Sequence, residues 1–96
     1  MYMHVAVTLR IGASFGKYKH VFRAIKAIFE DHGWRLHGSF SALTGRTNSV
    51  VNIWEVPSLE ALQAGLHEPR LKEHLPLVRE VVENEVITLM SPFTVE

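Results

Sequence analysis

The chain has 96 residues, enough for one domain and too few for two. With 47% apolar and 21% charged residues it is an ordinary globular composition rather than a disordered one, and its ten basic residues balance ten acidic ones without forming a basic stripe, which argues against nucleic acid as a partner. No apolar run approaches the roughly 20 residues that span a bilayer and the opening MYMHVAVTLR lacks the layout of a signal peptide, so the expected location is cytoplasmic, while the absence of cysteine removes disulfides, thiolate nucleophiles and thiolate metal sites.

Met3, Val5, Val7 and Leu9 alternate with His4, Ala6, Thr8 and Arg10, the pattern of a half-buried strand. IGASFG ends it, and Ser14 is placed to accept from an early helical N–H. Tyr18, Val21, Phe22, Ile25, Ile28 and Phe29 then recur at three- and four-residue steps, one apolar stripe of a helix. Gly33 suits the left-handed conformation that closes many helices. Trp34, Leu36, Gly38, Phe40 and Ala42 alternate with Arg35, His37, Ser39 and Ser41 in a second strand with one apolar face. TGRTN supplies a turn, and residues 49–56 make a third strand in a hairpin with the second. Pro57 stops that strand and Ser58 is the next N-cap. Leu59, Leu62 and Leu66 predict a short helix, broken near HEP. Leu71, Leu75 and Val78 resume helical spacing, with Pro76 either bending that helix or lying in its first turns. NEVITLM is the last strand, apolar on both sides.

This order of elements predicts an α+β fold of ferredoxin-like βαββαβ topology. Its four-stranded antiparallel sheet has the first and third strands central and the helices on one face. In the third strand Val51, Ile53 and Glu55 point one way while Val50, Asn52, Trp54 and Val56 point the other, so both faces carry large apolar groups. Helices cover one face only. The other needs a partner, and a homodimer through sheet faces, hiding about 800 Å² per chain, is the simplest closed solution.

The stretch GSFSALTGRTNSVVNIWEVPSLEAL, from Gly38 to Leu62, resembles the hairpin and following helix of NIPSNAP-like proteins, where a glycine-containing strand, a short turn, a VVxIW strand and an SLE helix start recur. The tail LPLVREVVENEVITLMSPF is similar to the last helix and strand of that family. The resemblance implies a single dimeric α/β-barrel domain over residues 1–96. The opening VAVTLRIGASFG departs from the family's start, keeping its basic residue as Arg10 and little else. The wider superfamily contains monooxygenases, haem-degrading enzymes and small isomerases or dehydratases, so the fold leaves the reaction open.

The cofactor-free monooxygenases of that superfamily use a tryptophan and an asparagine beside a substrate cavity, which by resemblance draws attention to Trp54 and Asn52, two residues apart on one face of a strand. An indole and an amide suit a flat, oxygenated ring. His4 and His37 lie in the polar sets of their strands, and either would serve as a general base near neutral pH if it shared the face of Asn52 and Trp54. The ordinary alternative is that all four residues only pack or satisfy local hydrogen bonds. His67 and His74 have no third ligand in a metal-binding pattern, so no metal is expected. Haem-degrading relatives place an iron-ligating histidine on the helix after the tryptophan strand. His74 of LKEHL misses that place by one residue, about 100° of helix rotation, so no haem or other cofactor is expected. Glu83 and Glu85 fall at a helix-to-strand joint and are expected to be solvated. Two readings remain. One is a cofactor-independent monooxygenase or isomerase with His37 or His4 as base and Asn52 with Trp54 holding oxyanion and ring. The other is a noncatalytic module that binds a small apolar or aromatic ligand or another protein.

Overall fold

Period-two burial runs through the first strand, where Met3, Val5, Val7 and Leu9 are buried and their neighbours half-buried, so one side of this strand carries the core. The computed structural model describes residues 1–95. Its elements are β1 (Tyr2–Leu9), α1 (Phe15–Asp31), β2 (Arg35–Ser41), β3 (Ser49–Glu55), α2 (Leu59–Leu66), a 3-10 helix (Pro69–His74), α3 (Leu75–Val81) and β4 (Val82–Met90). The strands pair antiparallel in the order β2-β3-β1-β4, which is the expected ferredoxin-like sheet with β1 and β3 central. The helices pack on the face that carries the buried side chains of β1 and, in β3, Val50, Asn52 and Trp54.

Local chemistry fixes the helix ends. The Ser14 hydroxyl accepts from the N–H groups of Gly16 and Lys17 at 3.1 and 3.3 Å, and Gly33, at φ 81°, lets the chain turn out of α1 into β2. Ser58 caps α2 through the N–H of Ala61. Pro69 starts the 3-10 helix, so the predicted break at HEP becomes a tight six-residue turn. Glu68 ties that turn to the end of α1. Its carboxylate accepts from the Arg70 backbone and side chain, both at 2.9 Å, and lies 3.2 Å from His32, while Arg70 also reaches Asp31 at 2.8 Å. Arg70, above all, holds the Glu68 pKa down at about 2.

One sequence expectation fails in β2. The register slips between Leu36 and Gly38, so Leu36 stands opposite Trp54 on the helix side while Phe40 stands opposite Val51 on the other face, 59% exposed. The single apolar face expected for residues 34–42 is therefore broken by a bulge, which inserts one residue and reverses the alternation. The bulge has a second effect. It puts Ser39, not a glycine, opposite Asn52.

Trp34 closes the core at the far end. Its ring stacks on Phe29 with centroids 4.1 Å apart, meets Trp54 edge-on at 5.9 Å, and donates its indole N–H to the Ala61 carbonyl at 2.8 Å. The α2 helix approaches so closely that a Cβ at Gly65 would sit 2.6 Å from the Trp34 ring. Gly65→Ala should therefore overpack this contact and cost about 1–3 kcal/mol, read as a lower urea midpoint at unchanged slope.

Candidate functional site

Between the helix-side face of the sheet and helices α1 and α3 lies a cavity of about 200 Å³. Its walls are mostly hydrocarbon, with Val5 and Val7 on the floor, Trp54 beside them, and Phe22, Ile25 and Val78 from the helices. Phe22, Ile25 and Leu75 line this space without filling it. Three polar side chains reach it: Tyr18 from α1, Asn52 from β3 and Glu85 from β4.

Asn52 is 2% exposed, with both its amide oxygen and its amide nitrogen hydrogen-bonded. Its Oδ1 lies 2.5 Å from the Ser39 hydroxyl and its Nδ2 lies 2.8 Å from the Tyr18 hydroxyl. So short a contact to Ser39 fits an O–H···O bond, so the hydroxyl donates to the amide oxygen and the amide nitrogen donates to Tyr18. The direction of the chain, Ser39 to Asn52 to Tyr18, leaves the phenol's own proton available to a further acceptor. Burial pushes the Tyr18 pKa up, the Asn52 hydrogen bond opposes that, and the charge of Glu85 adds to it, so the hydroxyl stays protonated near neutrality. Tyr18 and Phe22, stacked at 5.8 Å, form the partition between this cavity and a shallower groove of about 520 Å³ toward β2, where Ser39, Ser41 and Thr47 face solvent.

Glu85 stands opposite Val7 in the sheet and so on the helix-side face. Much of the residue is exposed on the edge strand, yet partial burial of its carboxyl pushes the pKa up, and no cation pairs with it among the described residues. It stands at the rim with Ile87, which is 47% exposed. From the sequence alone Glu85 is expected at a solvated helix-to-strand joint. The signal that places it was its phase, since Glu85, Ile87 and Leu89 alternate together, and the register pairs Val7, Val5 and Met3 with them.

The four residues singled out by sequence separate into two pairs. Asn52 and Trp54 share the cavity, but His4 pairs with Ile53 and lies on the opposite face. His37 falls in the β2 bulge, with its ring 5.9 Å from that of Tyr2, whose register partner is Glu55, again on the opposite face. The sheet therefore stands between these histidines and the cavity, and a pocket joining two imidazoles to the amide and the indole is not formed. The cause is the two-residue period. Once Met3, Val5 and Val7 face the helices, His4 cannot. His67 caps α2 with its ring against the Gln63 carbonyl at 2.8 Å, and His74 ends the 3-10 helix beside Glu73 at 3.4 Å.

The NIPSNAP family model matches residues 8–94. The chain belongs to the NIPSNAP family. Among solved structures, the NIPSNAP family protein Atu4242 from Agrobacterium tumefaciens is similar at 27% identity, with 97% of this chain and 94% of that chain covered and a TM-score of 0.77. A NIPSNAP-like domain protein from Burkholderia xenovorans is similar at 20% identity, 99% and 86% coverage and a TM-score of 0.74. SnoaB, a cofactor-independent oxygenase from Streptomyces nogalater, is 18% identical, with 99% and 96% coverage and a TM-score of 0.77, a likeness of fold. No curated protein matches the chain. Among the described residues of this NIPSNAP protein, no helix is long and apolar enough to cross a membrane.

Glu85 also gives the folded protein a titration of known sign. A carboxyl whose pKa is raised on folding holds its proton longer in the folded state, so its contribution to stability is greatest below the unfolded pKa and declines as pH rises through the folded one. The urea midpoint of the wild type, taken relative to that of Glu85→Gln, should decline as pH rises from about pH 4 to about pH 8. Parallel curves would mean that the carboxyl is as well solvated in the folded chain as in the unfolded one.

Proposed function

We propose that the cavity of this NIPSNAP protein binds a small, flat, apolar or aromatic molecule bearing an oxygen atom, and that two chains pair through the sheet face that carries no helices. The observation that carries the ligand reading is the buried Asn52 amide, bonded through its oxygen to Ser39 and through its nitrogen to Tyr18, whose hydroxyl lies in the wall of an apolar cavity with its own proton unused among the described residues. Burying an amide costs about 1–3 kcal/mol unless every bond is made, and a leucine would fill a purely structural position more cheaply. Here the polar chain ends in a donor suited to a ligand oxygen. Trp54, 1% exposed, gives the ring a rigid wall.

Likeness to SnoaB extends the reading to chemistry without a cofactor. A ligand with an acidic ring methylene loses a proton to solvent water at the open rim of the cavity, and the charge that grows on its conjugated oxygen is met by the Tyr18 hydroxyl. Attack on dioxygen then converts the methylene to a carbonyl. One oxygen atom enters the ring and the other leaves as water, and the ligand supplies all four electrons. Asn52 orients Tyr18 in this scheme. His4 and His37, proposed from sequence as the base, would face the partner chain instead. A noncatalytic binding role is the second reading, favoured by the packing of Trp54 against Phe29 at 5.4 Å and Trp34 at 5.9 Å, which gives the indole a structural use of its own.

The pairing reading rests on the face opposite the helices. Phe40, Val86 and Met90 are 59%, 52% and 37% exposed there, beside half-buried Ala6, Val51 and Ile53. These apolar side chains, with His4 and Thr88 among them, form a surface of the kind that a self-complementary interface of about 800 Å² per chain requires.

Native mass spectrometry of the purified protein should show a dimer, and Ile53→Glu should shift it to monomer. A wild-type monomer at micromolar concentration would overturn the pairing. Calorimetric titration with 2-naphthol should show binding that weakens about tenfold in Asn52→Ala, the loss of one oriented hydrogen bond. Absence of binding to the wild type would remove the ligand reading. Protein-dependent oxygen uptake with 2-tetralone, lost in Asn52→Ala and retained in His4→Ala, would favour catalysis over binding alone.

A further inference from the structure

The cavity has two polar poles, and the reading above uses one. At the first, Tyr18 offers a proton and Asn52 holds it in place. At the second, Glu85 offers a carboxylate. The strand order β3-β1-β4 sets Asn52 and Glu85 two strand spacings apart, and their partners Val5 and Val7 lie two residues apart along β1, so about 12 Å separates the two backbone positions, with Val5 and Val7 flooring the space between them. A ring system bound over those valines would meet a donor at one end and an acceptor at the other.

We infer that Glu85 receives a hydroxyl of the ligand, so that the site takes flat molecules with oxygen at both ends, hydroxy ketones or diols, in preference to rings with one polar end. The inference rests on the ligand reading of the cavity and adds the chemical class. Among the described residues no cation pairs with this carboxylate. Arg46 lies 3.6 Å from Glu83, Lys17 is bonded to Glu80 at 2.8 Å, and Arg10 donates to the Arg79 carbonyl at 3.0 Å. Among the residues that line the cavity, Tyr18 is the one other titratable group; β1 and α3, which pack against β4, present only aliphatic side chains to it. A carboxylate beside an apolar wall has given up part of its water, and a hydroxyl donor restores one strong bond. An ammonium fits less well, because it needs three acceptors and the surrounding wall is hydrocarbon. Glu85 lines the cavity beside Val82 and Ile87, and the same partial burial of its carboxyl pushes its pKa up.

The test is calorimetric titration of the full chain with 2,6-dihydroxynaphthalene and with 2-naphthol, for the wild type, Glu85→Ala and Glu85→Gln. The wild type should prefer the diol, and Glu85→Ala should cost the diol roughly tenfold to hundredfold, the value of a hydrogen bond to a charged group, while changing 2-naphthol less than about twofold. Glu85→Gln, which keeps an acceptor oxygen but no charge, should fall between. Equal losses for both ligands, or no loss for either, would overturn the assignment of Glu85 and leave the cavity reading intact. Failure of both ligands to bind the wild type would overturn the two together.

Discussion

Because β1 pairs with β3 along one edge and with β4 along the other, its eight residues set the phase of both neighbours. Met3, Val5, Val7 and Leu9 are the residues that the helices must cover, and antiparallel partners share a face, so Asn52, Trp54, Glu85 and Ile87 are carried to the same side. A slip of one residue in the β1–β3 pairing would bring Ile53 to the cavity in place of Asn52 and Trp54, and one in the β1–β4 pairing would bring Val86 in place of Glu85 and Ile87. The chemistry available at the site is thus a consequence of strand register before it is a consequence of any single side chain.

Within that frame the polar chain depends on an irregularity. A regular β2 would place Gly38 opposite Asn52, and the amide oxygen would lack its donor. The bulge between Leu36 and Gly38 moves Ser39 into that position. The same shift turns Phe40 to the face without helices, where it adds to the surface proposed for the second chain. One extra residue therefore serves both the interior site and the exterior face. That economy follows from the alternation of the pleat, in which a single insertion changes the side of everything beyond it.

Most elements could be read from pattern. The α1 stripe, its Ser14 cap, its Gly33 exit, the Ser58 cap and the break before Pro69 all stand where spacing and local chemistry placed them, because helix signals are local and repeat every three or four residues. The family was also legible, in the VVNIW strand and the helix start after it. The pairing of Asn52 with Trp54 at one site was likewise a matter of spacing along one strand. The roles of Ser39, Tyr18 and Glu85 were not visible, since each comes from a different element and reaches the cavity by register or by helix packing. Tyr18 is legible in the sequence as a member of the apolar stripe or as a residue lining a cavity, and it is both; its bond to Asn52 is not legible there.

The sequence by itself determined the order of elements, their caps and breaks, the α+β class and the presence of a sheet with apolar side chains on both faces, because each of these depends on neighbours within a few residues. The tertiary structure decided which polar groups meet. It set His4 and His37 apart from Asn52 and Trp54 across the sheet, joined Ser39 to Asn52 and Tyr18, and brought Glu85 to the rim of the same cavity. These meetings depend on a two-residue alternation combined across four strands, so one bulge or one register choice changes all of them at once, and no short stretch of the chain contains that information.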